Sequence, residues 1–356
     1  GKFAYFLALP LLSTLLLAVQ MQPAAREAQE PALPYSPSLD LTSMDRSVNP
    51  CDDLYHYACG NWQNLNPIPA DQTSWSVYGK LFEDNLNFLH GILEDASADK
   101  PSRDQVTREV GDYYAACMNT AAVEKRGLEP VEGQLGEIAK AGSYRDLPAL
   151  VARLQLDYGN GILFSGGSAQ DLDNSEKVIA DLDQGGLGLP DRDYYTKEDA
   201  KSKETRARYV QHVEKVFSLM GEGAEAAKAD AATVMAMETA LAEASQTQVA
   251  RRDPYALKHK MDLAGLAKLA PNFDWKTYYR TAGYPEFTTV NVDSPDFYKA
   301  VNAKLASEPI ANWKAYLRFH VVDAASPFLS QAFVDENFEM YRKYLRGAKE
   351  QQPRWK

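Results

Sequence analysis

The sequence predicts a mainly α-helical protein with one minor β element, on the basis of three observations. First, apolar residues recur mostly at three- to five-residue steps between Val77 and Leu93, as on one face of a helix. Second, similar helical patterns cover most of the second half of the chain. Third, two short apolar runs, Ile162–Phe164 and Val178–Ala180, indicate strands and predict a small hairpin or a sheet edge.

The N-terminus has the composition of an export segment followed by a tether. Residues 3–19 are almost wholly apolar and follow Lys2, a pattern typical of a signal peptide or an N-terminal membrane anchor. We therefore expect residues 1–21 to be one of these, and the short run with Pro10 favours a cleaved signal. Residues 22–44 contain several prolines among small and charged residues and are expected to form a Pro-rich linker.

Cys51 and Cys59 lie eight residues apart at the start of the expected folded part. Pro50 suits a first helical position, Asp53 favours a helix N-terminus and Gly60 suits a helix end, so we predict one short helix that contains both cysteines. Cysteines at this spacing on one helix lie about two turns apart, too far for a mutual disulfide. Each would then need a partner elsewhere.

The remaining helices follow from apolar periodicity. Ser74 is a candidate N-cap for the helix that contains the stripe from Val77 to Leu93. A second stripe runs from Val106 to Cys117. Longer helices are predicted at about residues 197–220, 224–244, 295–306, 310–325 and 331–345.

The amino-acid composition limits the classes of function that are expected for this chain. The chain has 356 residues, 45% of them hydrophobic and 24% charged, which is ordinary for a globular protein. Its net charge of −11 argues against nucleic acid as a partner, because phosphate binding needs clustered Lys and Arg. Three cysteines in an exported protein imply a free thiol, an intermolecular bond, or partners outside this stretch of sequence.

The sequence contains no catalytic or metal-binding motif that we recognise. None of the five histidines belongs to a His-Glu-x-x-His pair. His90 with Glu94, and Asp52 with His56, have i, i+4 spacing, but two ligands do not make a zinc site. We therefore predict structural histidines. The glycine-rich stretch 185–188 continues into Leu-Pro instead of a helix and is predicted to be a structural turn.

Several sequence blocks nevertheless occur in a specific order. Together they resemble the N-terminal domain of the neprilysin-like (M13) zinc metallopeptidases, from about Asp40 to the last residue. Any one block is weak evidence, whereas the ordered set is specific. The blocks are residues 49–62, 66–69 with 74–75, 113–119, 184–195, 251–254, 313–318 and 353–356.

The resemblance implies a two-lobed peptidase of which residues 45–356 form the multi-helical cap lobe. In this family the zinc-binding His-Glu-x-x-His helix and the third glutamate ligand lie in a later domain. It thus implies an extracytoplasmic zinc metalloendopeptidase that hydrolyses oligopeptides. The zinc would be bound by the missing C-terminal domain, and the present part alone would be inactive. The alternative is a non-catalytic exported helical binding module derived from the same family.

The resemblance also assigns roles to individual residues. Cys117 would pair with a cysteine just after Lys356, and Cys51 and Cys59 would pair with cysteines near the family's C-terminus, as covalent disulfides to the missing domain. In some members an arginine at the position of Ser74 binds a peptide carboxylate. Serine cannot make that two-pronged contact, so a weaker preference for dipeptidyl carboxylate ends is expected. Ser74 and the neighbouring Trp75 are candidate substrate-cavity residues, although a packing role for Trp75 is favoured.

Overall fold

The computed structural model describes residues 40–98, 100, 102–159 and 161–356. The predicted signal or anchor and residues 22–39 of the predicted linker lie outside the described residues. Among the helices that are described, none combines the length and the apolar character that a membrane span needs.

The predicted mainly α fold is confirmed. Fifteen α-helices are described, most of them capped at the N-terminus by an Asp, Asn or Ser side chain or opened by a proline. In chain order they are α1 (Leu54–Cys59), α2 (Trp62–Leu65), α3 (Val77–Ser97), α4 (Gln105–Met118), α5 (Thr120–Arg126), α6 (Glu132–Lys140), α7 (Leu147–Tyr158), α8 (Asp193–Thr196), α9 (Ala200–Leu219), α10 (Ala224–Ala244), α11 (Leu263–Leu269), α12 (Trp275–Thr281), α13 (Pro295–Ser307), α14 (Ile310–Ala325) and α15 (Gln331–Asn337).

Several predicted helix bounds need correction, and the helix predicted from about residue 197 begins at Ala200. The N-cap of α3 is Ser76, whose side chain accepts a hydrogen bond from the Gly79 amide at 3.1 Å, and Ser74 lies two residues before this N-cap. The predicted helix 331–345 is interrupted, because α15 ends at Asn337 and Phe338–Tyr344 continues as a π-helix. By contrast, α10 and α14 have the predicted bounds.

The predicted helix around the first two cysteines is wrong at its N-terminal end. Asp53 is the N-cap and accepts from the His56 amide at 2.9 Å, so α1 begins after it. Cys51 lies before the helix, in a turn where its amide donates to Asn49 Oδ1 at 3.0 Å. Since Cys51 and Cys59 do not share a helix, helical spacing says nothing about whether they can pair. Both thiols are free and exposed.

The β element is larger than predicted. β1 (Phe164–Asp171) and β2 (Asn174–Gln184) form the expected antiparallel hairpin, although the two predicted runs do not face each other: Phe164 pairs with Gln184. Two further strands, β3 (Lys260–Met261) and β4 (Val290–Val292), complete a four-stranded sheet of order β1-β2-β4-β3. β4 runs parallel to β2 and antiparallel to β3.

The buried apolar cluster begins at Val131. Residues 131–348, here called the core region, contain helices α6–α15 and the sheet. α10 packs against both α9 and α14, and α12 packs against α7. α14 contributes three of the largest fully buried side chains, Trp313, Tyr316 and Phe319. Residues 40–118, here called the N-terminal region, hold α1–α4.

Candidate functional site

Helices α3 and α4 pack extensively against each other. Gly111 of α4 lies against the backbone of Ala96, where a Cβ would collide with the Ala96 carbonyl. Tyr114 donates from its hydroxyl to Glu94 Oε1 at 2.5 Å, and burial together with this carboxylate raises the pKa of Tyr114 to about 12. Asp104 caps α4 by accepting from the Thr107 amide at 2.7 Å. The contacts of Gly111 and Tyr114 hold the two helices together, and the cap defines where α4 begins.

The pair leaves a large set of apolar side chains uncovered among the described residues. Tyr78 is 85% exposed and Phe82 is 64% exposed. Isolated exposed apolar residues are ordinary, but nine of them on two helices that pack together are typical of a surface that binds another protein or domain. We call this set the apolar face. It comprises Val77, Tyr78, Leu81, Phe82, Leu89 and Ile92 of α3 and Val106, Val110 and Tyr113 of α4.

The C-terminal residues fasten this pair to the rest of the chain. Lys356 Nζ lies 2.8 Å from Asp71 Oδ2 and 2.5 Å from Glu83 Oε1, and these hydrogen bonds outweigh the effect of burial and raise the pKa of Lys356. The Trp355 ring stacks on His90 with 4.1 Å between the ring centroids. Arg354 Nε donates to the Cys117 carbonyl at 2.8 Å. Residues 354–356 are called the C-terminal latch below.

Ser74 and Trp75 lie together just before α3. Ser74 is exposed, whereas Trp75 is half-buried and its ring lies beside Gly79, where a Cβ would be 3.4 Å from Trp75 Cε3. The two residues therefore sit at the end of the helix where the apolar face begins with Val77. The structure brings them together with that face and assigns Trp75 a packing contact.

The histidine pairs singled out in the sequence serve structural contacts. His56 pairs with Asp53 at 2.6 Å, and not with the predicted Asp52. His90 Nε2 lies 3.4 Å from Glu94 Oε1, the same carboxylate oxygen that Tyr114 binds. Within the part of the chain that the structure describes, no three His, Cys, Asp or Glu side chains are placed to hold a metal ion. The donor set of the described residues therefore does not fit zinc.

Sequence reasoning missed a buried polar network in the core region. The Glu238 side chain is fully buried, and its carboxylate accepts from Tyr195 at 2.5 Å and from Tyr209 at 2.8 Å. His320 Nε2 lies 2.9 Å from Glu238 Oε1, but the geometry is not that of a hydrogen bond. Burial and the Glu238 charge raise the pKa of Tyr195 well above its usual value. Because α8, α9, α10 and α14 supply these residues, no sequence spacing reveals the network.

His212 forms a second part of this network. The side chain is 2% exposed and lies between Asp323 at 3.0 Å and Glu336 at 2.9 Å, while Tyr341 donates to the other Asp323 oxygen at 2.8 Å. Burial lowers the pKa of His212, but the hydrogen bonds and charges of the two carboxylates outweigh it and raise the pKa to about 9. His212 is therefore an imidazolium at neutral pH.

A cavity of about 420 Å³ opens beside this network. That volume lies within the range of small-ligand pockets, about 300–1,000 Å³. The walls come from the ends of α7 and α14, the glycine-rich turn after β2, and the π-helix. His320, Asp323 and Tyr341 line it together with Tyr158, Gly161, Ile162, Leu187, Gly188, Ala324, Pro327, Asn337, Arg342 and Arg346.

Comparison with known proteins identifies relatives of this chain. A family model described as peptidase family M13 matches residues 50–356. The chain is 31% identical over 330 residues to endothelin-converting enzyme 1 of Bos taurus, covering 89% of this chain and 43% of that protein. It is 29% identical over 328 residues to Neprilysin-3 of Drosophila melanogaster, covering 86% and 41% respectively.

A solved structure has the same fold. The crystal structure of Mycobacterium tuberculosis zinc metalloprotease Zmp1 in complex with an inhibitor matches with a TM-score of 0.80 at 28% identity. The match covers 89% of this chain and 48% of that chain. The present chain thus spans less than half the length of each of these relatives.

Proposed function

The chain belongs to peptidase family M13, and on that premise we propose that it is the substrate-enclosing cap lobe of an extracytoplasmic zinc metalloendopeptidase. The substrates would be oligopeptides, and the reaction the hydrolysis of internal peptide bonds. Residues 45–356 would form the family's N-terminal helical domain, after a signal peptide or membrane anchor at 1–21 and a Pro-rich linker at 22–44. The apolar segment 3–19 supports the extracytoplasmic location.

The observation that carries the proposal is the apolar face. In this chain alone, Tyr78 and Phe82 expose a large apolar area to water. Burying a side chain of this size contributes about 1.5–3 kcal/mol of stabilisation. A second lobe of the same polypeptide, packed on α3 and α4, would cover the face. In the relatives, more than half of the length lies outside the matched part, which is ample for a lobe of this kind.

The zinc ion would be held by that second lobe. The described residues do not provide a fitting set of ligands, as the pairs His56–Asp53 and His90–Glu94 are each engaged in contacts within the N-terminal region. We therefore derive no catalytic step from them. The role of this chain would be to position the second lobe and to limit access to the cavity between the lobes, and the chain alone would lack peptidase activity.

The three cysteines would tie the lobes together. Cys51, Cys59 and Cys117 are all exposed, as thiols that pair with another lobe must be. The contact of Arg354 with the Cys117 carbonyl supports the partner proposed for Cys117, because a cysteine soon after Lys356 would start close to it. Disulfides that close long loops contribute about 4–5 kcal/mol in the chain-entropy model.

Ser74 and Trp75 would border the substrate cavity at the start of α3. Their position beside the apolar face, at its Val77 end, supports this placement. Because serine offers no guanidinium, the whole enzyme should prefer dipeptidyl carboxylate ends less than a relative with arginine there. Replacing Ser74 by Arg should increase kcat/KM for a substrate with a free carboxylate at that subsite relative to its amide.

The test is to clone the gene together with the coding sequence that follows the Lys356 codon, and to purify that product beside the 356-residue chain. We expect chelator-sensitive cleavage of an oligopeptide by the longer product and none by the shorter one. Chelator-sensitive cleavage by the shorter chain would contradict the proposal that the zinc and the peptidase activity belong to the second lobe. An in-frame stop immediately after the Lys356 codon would instead support the non-catalytic binding module.

A matched pair of variants tests the apolar face in the longer product. Phe82→Asp places a charge in the proposed contact with the second lobe and should reduce activity, while the 356-residue chain carrying it folds as before. Asn87→Asp adds the same charge at an exposed polar position of α3 and should leave activity unchanged. Equal effects of the two variants would argue against packing at this face.

A further inference from the structure

The cavity of about 420 Å³ beside the buried network has an apolar wall and a cationic mouth. Ile162, Leu187, Ala324 and Pro327 supply aliphatic surface, and Tyr158 adds an aromatic ring. Gly161 leaves open space at one point of the wall, where a Cβ would meet no other atom. Such a lining fits an apolar side chain.

Two arginines lie at the mouth. Arg342 is half-buried and uses one nitrogen, Nη2, to donate to the Asp71 carbonyl at 3.1 Å. Arg346 is exposed, and its guanidinium has no hydrogen-bond or ion-pair partner among the described residues. Other arginines of the core region are paired, for example Arg153 with Glu137 at 2.7 Å. The mouth therefore offers guanidinium donors that no carboxylate of the described chain occupies.

The buried end of the cavity, called the floor below, contains one carboxylate, that of Asp323. This carboxylate repels an anion less than an unpaired one would. Both oxygens of Asp323 are already engaged, one by His212 and the other by the Tyr341 hydroxyl. His320 also lines the floor, and its 8% exposed side chain directs Nε2 towards Glu238 Oε1, 2.9 Å away.

The backbone at the mouth is unusual as well. Tyr341 and Arg342 belong to the π-helix Phe338–Tyr344, and π-helical turns occur frequently at functional sites. Here the π-helix places Tyr341 in contact with Asp323 on the floor, while the next residue, Arg342, reaches Asp71 at the edge. Arg346 follows one turn later on the same side of the cavity.

We propose that this cavity binds the free carboxylate end of a short peptide whose last side chain is apolar. The guanidinium groups of Arg342 and Arg346 would bind the carboxylate, and the aliphatic and aromatic wall would receive the side chain. The inference rests on the proposed function only for the source of the peptide. The site is separate from Ser74 and Trp75, which lie before α3 in the N-terminal region.

The test is calorimetric titration of the 356-residue chain with N-acetyl-Ala-Phe and with its C-terminal amide. We expect the acid to bind and the amide to bind at least tenfold more weakly, because charge-assisted hydrogen bonds to the carboxylate are lost. Arg346→Gln should weaken binding of the acid about tenfold, and Arg346→Lys by less, as lysine keeps the charge but not the planar fork. Arg346 is exposed, so neither variant threatens the fold.

Two further variants separate the cavity from general charge effects. Arg252→Gln removes another exposed arginine that has no partner among the described residues, and it should leave binding unchanged. Ala324→Phe fills the cavity from its exposed edge without changing charge, and it should abolish binding of the acid.

Three results would overturn the inference: equal binding of acid and amide, equal effects of Arg346→Gln and Arg252→Gln, or competition by inorganic phosphate as strong as that by the peptide. None of them concerns zinc or hydrolysis, so the proposed peptidase function would stand. Conversely, binding of the acid by a chain whose full-length product cleaves nothing would leave the cavity assigned and the peptidase function refuted.

Discussion

The N-terminal region and the core region are both helical, but only the core region has a large cluster of buried apolar side chains. Phe82 in α3 is 64% exposed, whereas Phe319 in α14 is fully buried. The helices of the N-terminal region are instead defined locally, by the caps Asp53, Ser76 and Asp104. Caps and periodicity are sufficient to specify a helix, but they do not decide whether its apolar side is covered.

Charged groups differ between the two regions in the same way. In the core region Glu238 and His212 are nearly inaccessible and meet several polar partners. In the N-terminal region the pair His56–Asp53 is largely exposed and contributes little, since solvent screens it. The exception is Lys356, which is 9% exposed where the C-terminal latch meets Asp71 and Glu83.

A matched pair of phenylalanine substitutions tests this contrast most strongly. Phe319→Ala should lower the free energy of unfolding by about 3–5 kcal/mol, because it leaves a cavity in a fully packed core. Phe82→Ala should change it by less than about 0.5 kcal/mol in the 356-residue chain. Urea unfolding followed by circular dichroism measures both. A loss above 2 kcal/mol for Phe82→Ala, on the order of a core substitution, would mean that the apolar face is covered within this chain.

Two histidine substitutions test the difference between buried and exposed charged groups in the two regions. His212→Gln removes a buried cation between Asp323 and Glu336 and should lower the unfolding free energy by about 3 kcal/mol at pH 6. The folded-state pKa of His212 is raised from 6.5 to about 9, so this stabilisation is complete below pH 6.5 and is lost as the pH rises through 9. The difference between wild type and variant should therefore shrink between pH 6.5 and pH 9 and change no further above pH 9.

His56→Gln is the control for that experiment. His56 pairs with one exposed carboxylate, and its replacement should change the unfolding free energy by at most about 0.5 kcal/mol. A destabilisation by His212→Gln that is constant from pH 6 to pH 10 would contradict a protonated His212 and indicate a packing role instead.

The C-terminal latch joins the two regions, and removing its lysine should act on one of them. Lys356→Ala leaves Asp71 and Glu83 without their cation and should weaken protection of α3 amides from hydrogen exchange by about 1.5 kcal/mol. Amides of α10 and α14 should keep their protection. Lys349→Ala is the control, because its exposed side chain makes no such ion pair in the described structure. Equal loss of protection in α10 would show that the two regions unfold together.

Local signals made much of the fold predictable. α13 begins at the predicted Pro295, since proline suits the first helical position, and α10 and α14 have the predicted bounds. Tertiary contacts decided the remainder. The π-helix after Asn337 depends on contacts such as Tyr341 with Asp323, and β3 and β4 have two and three residues, too few for an alternating pattern.

The candidate sites were less predictable than the helices. The stripe from Val77 to Leu93 indicated a helix correctly, but a stripe cannot tell whether its cover is in the same chain, and here much of it is exposed. The buried network joins residues from several helices that no motif relates, such as His212 and Glu336. Only the resemblance to a family pointed to Ser74 and Trp75, and their role stays a prediction.

The smallest expected effect concerns a carboxylate beside the sheet. Burial and the neighbouring Asp181 and Asp183 raise the pKa of Asp293 to about 7, although Arg251 and a hydrogen bond from Asn291 act in the opposite direction. Because the folded-state pKa is raised, the contribution of this carboxyl group to stability is complete below its unfolded pKa of about 4. That contribution decreases as the pH rises from about 4 and is lost once the pH has passed through 7. Because this carboxylate is only half-buried, we discount the effect to about 1 kcal/mol.

Asp293→Asn removes this ionisation and keeps an oxygen that can accept from Asn291. The variant should therefore gain about 1 kcal/mol on wild type between pH 5 and pH 7.5, measured by urea unfolding at both values. Asp296→Asn, three residues along the chain, is the control: its pKa is lowered by Lys299, so it is ionised throughout this range and should show no such gain. An equal gain for both variants would show that the effect comes from net charge and not from the neighbouring carboxylates Asp181 and Asp183. Charged groups on the surface of the core region would then contribute as little individually as those of the N-terminal region.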